Sequence, residues 1–72
     1  MTYYMKFDND GYILDITSYN PNDVEYIANE VTAEIPTSIM RGYYKWNNGF
    51  ELDADKKAIV DAAYAALPMF PV

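Results

Sequence analysis

The sequence predicts a small α+β domain in which two β-hairpins form an antiparallel sheet and a C-terminal helix packs on it. An Asp-Gly turn at residues 10–11 and an Asn-Gly turn at 48–49, each between aromatic and β-branched stretches, indicate the hairpins. An alanine-rich segment that follows Asp53 and stops before Pro68 indicates the helix. No repeat or flexible linker divides the chain, so we expect a single domain over residues 1–72.

The composition excludes several classes of function. Hydrophobic residues make up 51% of the 72 residues, too many for intrinsic disorder at a net charge of −6. The absence of cysteine and histidine removes disulfides, the usual zinc ligands, thiol nucleophiles and imidazole bases. Eleven acidic residues against five basic ones argue against direct binding of nucleic acid. Without a basic, apolar leader or a long apolar run, neither a signal peptide nor a membrane span is expected.

The strongest strand signal covers residues 3–18, on both sides of the first turn. Alternate side chains of a strand lie on the same face of the sheet. We therefore expect one buried face, formed by Tyr3, Met5 and Phe7 in the first strand and by Tyr12, Leu14 and Ile16 in the second. Tyr4 and Ile13 belong to the other face, where they indicate a second contact surface.

The segment after the first hairpin has an ambiguous pattern. Residues 20–23, Asn-Pro-Asn-Asp, break the strand because proline fixes φ and lacks a donor. Four apolar residues within 24–31 have helical spacing, whereas residues 31–35 alternate with period two before a proline. We expect a short helix or irregular turn, then a strand over residues 30–35. A turn or single helical turn over 36–42, ended by glycine, should follow.

Cross-strand aromatic pairs should fix the register of the second hairpin. Tyr44 and Trp46 share one face of the first of its strands, and Phe50 and Leu52 share one face of the second. Asp53 is placed to cap the N-terminus of the helix. The apolar stripe of this helix comprises Ile59, Ala62, Ala63, Ala66 and Leu67. Because the stripe is mostly alanine, it allows close approach to the sheet or to another copy of the chain.

The eight tyrosines indicate recognition of a protein partner, since tyrosine is enriched at recognition surfaces. Aromatic residues also supply β-propensity and core in a small sheet protein. We expect Tyr12, Tyr44, Trp46 and Phe50 to lie in the core. The candidate partner-binding residues are Tyr3, Tyr4, Tyr26 and Tyr43, with Ala62, Ala63 and Ala66 on the helix and Phe70 in the apolar tail.

No motif predicts a catalytic, cofactor or metal site. Asp8-x-Asp10 matches part of a calcium loop, but Lys6 and Thr17 occupy positions where an EF-hand has ligands. The spacing of the carboxylates selects no acid–base pair, and so short a chain leaves little volume for a pocket. We therefore expect a non-enzymatic protein without a cofactor.

The two hairpins share a residue pattern with a known group of small proteins. The matching residues are Asp10, Gly11, Ile13, Tyr44, Lys45, Trp46, Asn48, Gly49, Glu51, Leu52 and Asp53, followed by a final helix. On this pattern the chain resembles small accessory proteins of Gram-positive siphophages and prophages, encoded near tail, baseplate and host-recognition genes. The resemblance implies a non-enzymatic structural or accessory role in the virion or the host cytoplasm, with copies of the chain or phage tail proteins as partners.

The excess of acidic over basic residues leaves an alternative function open. Carboxylates spaced like phosphates allow a small acidic protein to occupy a nucleic-acid channel. The alternative is therefore a phage-encoded inhibitor of a basic host DNA-binding enzyme, such as a CRISPR effector. A net charge of −6 also serves solubility, which is the other explanation of the acidity.

Overall fold

The computed structural model describes residues 1–66 of the chain. Its strands are β1 Thr2–Phe7, β2 Ile13–Thr17, β3 Tyr26–Glu30, β4 Tyr44–Trp46 and β5 Phe50–Leu52, and its helix is α1 Ala54–Ala66. A 3-10 turn, Ile39–Arg41, precedes β4 and ends at Gly42, whose φ of 84° favours glycine. This confirms the turn predicted over residues 36–42.

The strands form two antiparallel sheets. The first has the order β2-β1-β3, and the second consists of β4 and β5. Tyr12 and Lys45 form an isolated antiparallel bridge that joins the first hairpin to the second. The predicted α+β class, with two hairpins and a C-terminal helix, is confirmed, and β3 is an additional strand beside the first hairpin.

A β-bulge in β2 changes which residues enter the core. Lys6 pairs with Asp15, but the next residue, Phe7, pairs with Ile13, so Leu14 has no partner on β1. The extra residue places Ile13 on the core side of the sheet, where it is fully buried, and leaves Leu14 46% exposed. The inward face predicted for β2 is therefore wrong at Leu14, whereas that predicted for β1 is confirmed.

The middle segment also differs from its prediction. A strand occupies Tyr26–Glu30 instead of residues 30–35, and of the two predicted alternatives an irregular turn, not a helix, precedes it. The Asn20 and Asp23 side chains each accept a hydrogen bond from the backbone N–H two residues later. These Asx turns redirect the chain, so the strand begins at Tyr26 and pairs with residues 2–6 of β1.

The core lies on one face of the three-stranded sheet. Its buried cluster consists of Met5, Ile13, Val31 and Ile39. Tyr44, Trp46 and Phe50 pack against this cluster as predicted, while Tyr12 does not belong to it. The Trp46 and Phe50 rings pair across the second hairpin edge to face, with centroids 5.0 Å apart.

The helix begins as predicted but packs through a different side. Asp53 Oδ1 accepts a hydrogen bond from the Lys56 N–H at 3.0 Å, which confirms the N-cap. No residue of α1 is buried, and Ile59 in the predicted stripe is 71% exposed. The half-buried side of α1 consists instead of Lys56, Lys57, Val60 and Asp61. Polar and cation–π contacts dock the helix, so the apolar stripe is free to face outward.

Candidate functional site

Tyr3 and Tyr4 lie on opposite faces of the three-stranded sheet. Tyr3 packs against the core cluster and is half-buried. Tyr4 points to the outer face, where its neighbours across the strands are Thr17 and Ala28. These neighbours are small, and Tyr4 is only half-buried between them. Of the two predicted interface residues, Tyr4 is therefore the one on the outer face.

Tyr26 belongs to a polar row on the same outer face. Lys6 of β1 pairs with Asp15 on one side and with Tyr26 on the other. The Tyr26 hydroxyl donates to Asp15 Oδ2, and this bond raises the pKa of Tyr26 to about 12. Lys6 Nζ lies 3.0 Å from Glu25 Oε2, and the hydrogen bond to Glu25 raises the pKa of Lys6. The structure thus brings Tyr4 and Tyr26 together on one face.

Tyr43 is not a surface residue, contrary to its prediction. It is 2% exposed, and its ring centroid lies 5.3 Å from that of Tyr44. Its carbonyl accepts the backbone N–H of Asp53, and Lys57 Nζ lies 5.8 Å from its ring centroid. Tyr43 is buried because it precedes β4 at the point where the second hairpin meets the start of α1.

The helical candidates lie on the outward side of α1. Ala62, Ala63 and Ala66 are exposed and continue the apolar stripe begun by Ile59. The prediction that these residues bind a partner is compatible with their exposure and stays a prediction. Phe70, the remaining candidate, and Leu67 of the predicted stripe lie outside the described residues.

A cluster around Tyr12 connects the first hairpin to the start of α1. The Tyr12 hydroxyl donates to Asp53 Oδ2 at 2.6 Å. Lys56 Nζ lies 3.5 Å and Lys45 Nζ 4.8 Å from the centroid of the Tyr12 ring. The N-cap role of Asp53 was predictable, but its partner Tyr12 is 41 residues away and no sequence signal joins them.

The electrostatics of this cluster suit a structural link better than proton transfer. The hydrogen bond to Asp53, with desolvation, raises the pKa of Tyr12 to about 12. Hydrogen bonds from the Tyr12 hydroxyl and the Lys56 N–H lower the pKa of Asp53. At neutral pH, Tyr12 is a protonated donor and Asp53 an ionised acceptor, and each already has its partner.

A second polar cluster docks the middle of the helix. The Arg41 guanidinium lies 4.3 Å from the Tyr64 ring centroid, and Arg41 Nη1 lies 3.8 Å from Asp61 Oδ1. Asp61 also accepts a hydrogen bond from Lys57 Nζ. The side of α1 that faces the domain is therefore stabilised mainly by charged groups.

An open depression of about 330 Å³ lies beside the start of α1. It is lined by Lys45, Glu51, Leu52, Asp53, Ala54 and Asp55. Within residues 1–66, no group of three acidic side chains is placed to hold a metal ion. No helix in that part of the chain has the length and apolar character that a bilayer crossing requires.

Comparisons with family models, curated proteins and solved structures gave no match. The charges are unevenly distributed along the chain. Residues 1–38 contain seven acidic residues and one lysine, whereas residues 39–72 contain four acidic and four basic residues. The half that forms the three-stranded sheet thus has the whole net charge of −6.

The two tyrosine–carboxylate bonds predict a loss of stability at alkaline pH. Tyr12 and Tyr26 have folded-state pKa values of about 12, above the ordinary value of 10.0. The stabilisation is complete below pH 10 and is lost as the pH rises towards about 12, because the unfolded state releases these protons first. Melting temperatures across this interval should fall less steeply in a Tyr12→Phe, Tyr26→Phe double variant. Parallel curves for the two proteins would contradict the assignment.

Proposed function

We propose that the chain is a non-enzymatic accessory protein of a phage or prophage that assembles with copies of itself through the outward side of α1. The observation that supports self-assembly is the exposed apolar stripe of Ile59, Ala62, Ala63 and Ala66. An exposed apolar patch on a small protein commonly marks a protein interface. The phage context rests on the resemblance of the two hairpins and places the protein in the virion or the host cytoplasm.

Small side chains and charge both favour a second copy on this side of α1. Alanine lets two helix backbones approach closely. The half of the chain that includes α1 has equal numbers of acidic and basic residues, so two copies can meet there without net repulsion. The hydroxyls of Tyr12 and Tyr26 already donate to carboxylates within the chain, which argues against acid–base chemistry at these two residues.

The substitution Ala62→Glu tests this interface. A carboxylate in the centre of an apolar helix–helix contact would be buried without a partner, so the variant should be monomeric where the wild type is a dimer. Sedimentation velocity over a concentration series measures the difference. Ala33→Glu, which adds the same charge at an exposed position outside α1, should behave as the wild type. A wild-type chain that remains monomeric throughout the series would contradict self-assembly.

One observation favours the alternative, a phage-encoded inhibitor of a basic host nucleic-acid enzyme. The net charge of −6 falls entirely in residues 1–38, so one half of the molecule offers a concentrated negative field. Such an inhibitor would bind its target in a salt-sensitive manner and would be displaced by DNA. Self-assembly through α1 depends on neither property, which separates the two functions.

A further inference from the structure

The two edges of the three-stranded sheet are built differently. The edge at β2 is closed to further pairing by the bulge at Leu14 and by the bridge between Tyr12 and Lys45. The Ile16 N–H, which would otherwise face outward, donates to Asp15 Oδ1 at 2.9 Å. These are the devices by which natural proteins prevent strand addition.

The edge at β3 leaves its backbone groups open. Met1 and Val31 exchange both of their backbone hydrogen bonds, at 2.9 and 3.2 Å. By the alternation of an antiparallel ladder, Ile27 and Asn29 therefore bond to β1, while Ala28 and Glu30 direct their N–H and C=O groups away from it. Within residues 1–66, the structure gives these four outward groups no hydrogen-bond partner.

The side chains of β3 do not protect this edge. The strand Tyr26–Glu30 contains no lysine, proline or bulge, and all five residues are in register with β1. Ile27 is 55% exposed and Ala28 is exposed. An open edge of this kind is the template for β-augmentation, in which an extended peptide adds a strand through main-chain hydrogen bonds.

Charge decides what kind of strand fits. Asp23, Glu25, Glu30 and Glu34 are all exposed on or next to β3. Lys6 pairs with Glu25 and the N-terminal ammonium pairs with Glu30, so these two cations offset part of the charge, but the edge stays acidic. A second copy paired at this edge would place two such acidic segments side by side, so repulsion disfavours it. A segment with lysine or arginine is complementary to the same charges.

We propose that β3 is the docking edge for an extended basic segment of another protein, which adds as a fourth antiparallel strand. Both existing pairings of the sheet are antiparallel. Opposite residues of antiparallel strands share a face, so the basic side chains lie opposite Ala28 and Glu30. Apolar side chains of the partner lie opposite Ile27. This inference rests on the proposed function only in that the partner is a protein; the surface is different from that of α1.

Synthetic heptapeptides of alternating lysine and valine are the probe. The labelled peptide should bind saturably by fluorescence anisotropy, with an affinity that falls as salt is raised, and its glutamate–valine counterpart should not bind. N-methylation of the lysines removes the N–H groups that face β3 and should abolish binding. N-methylation of the valines modifies groups that face away and should have little effect. Equal binding of the two methylated peptides, or no binding of the parent, would overturn the proposal.

A matched pair of variants tests the protein side of the contact. Ala28→Pro removes an N–H that faces outward, so the ladder to β1 keeps its bonds, as edge strands allow for proline. It should weaken peptide binding about tenfold or more, the effect of losing a backbone hydrogen bond. Ala28→Thr keeps the N–H and should bind as the wild type. Melting curves establish that both variants fold, and the methylated peptides test the edge without any substitution.

The outcome separates this inference from the proposed function. Ala62→Glu, which disrupts the outward side of α1, should leave the affinity for the lysine–valine peptide unchanged. If the peptide binds but the chain does not self-assemble, the proposal for the β3 edge is supported and only the proposed α1 interface is refuted. If the wild type forms a homodimer and Ala28→Pro dissociates it, the partner at the β3 edge is a second copy of the chain and not a basic segment. That result would overturn the proposal.

Discussion

Replacing Ile13 with alanine should lower the free energy of unfolding by about 2–5 kcal/mol. Ile13 is fully buried in the central cluster, so truncation removes apolar contacts and leaves a cavity. A domain of 72 residues has a stability of only about 4–11 kcal/mol, at about 0.05–0.15 kcal/mol per residue. The variant should therefore unfold at a much lower urea concentration, which Trp46 fluorescence can follow.

Leu14→Ala is the matched control for this prediction. Leu14 is the bulged residue and is 46% exposed, so its truncation should cost less than about 1 kcal/mol. Regular alternation along β2 predicts the reverse order, with Leu14 in the core and Ile13 outside. A larger loss of stability for Leu14→Ala than for Ile13→Ala would therefore contradict the presence of the bulge in β2.

Local signals were sufficient for the parts of the fold that depend on neighbouring residues. The two glycine turns, the cross-strand pair of Trp46 and Phe50, and the N-cap at Asp53 each arise within a few residues, and each was predicted correctly. The bulge in β2 was not predictable, because counting alternate residues assumes an unbroken ladder. The strand Tyr26–Glu30 was missed because its stability comes from pairing with β1, 20 or more residues earlier.

The candidate surfaces also include parts that local sequence predicts and parts that depend on distant residues. Alternation along β1 correctly separated Tyr4 from the core residues Met5 and Phe7. Helical periodicity identified the stripe on α1, but it could not show that charged residues would occupy the inner side. That arrangement depends on Arg41 and on the Tyr12 ring, which reach the helix from distant segments.

The distribution of charge explains how one small chain could have two different binding surfaces. The half with α1 has no net charge, so its exposed apolar stripe suits contact with an identical copy. The half with β3 has a net charge of −6, so its open strand edge disfavours a copy and suits a basic segment. The two surfaces share no residue, as an accessory protein that links chains would require.

Tyr43→Ala should have the largest effect on stability among the tyrosine substitutions, a loss of about 3–5 kcal/mol. The ring is 2% exposed and packs beside Tyr44 where the second hairpin meets α1. Urea denaturation measures the loss, which approaches the total expected for a domain of this size.

Tyr43→Phe distinguishes a core ring from a recognition hydroxyl. Within residues 1–66, the Tyr43 hydroxyl makes no hydrogen bond and is not a buried oxygen without a partner, so it reaches solvent and phenylalanine removes no bond on which the core depends. Its stability should lie within about 1 kcal/mol of the wild type. If Tyr43 were instead a surface residue, as the enrichment of tyrosine at interfaces predicted, both variants would unfold like the wild type. A large loss confined to Tyr43→Ala therefore places the ring in the core and removes it from the partner-binding set.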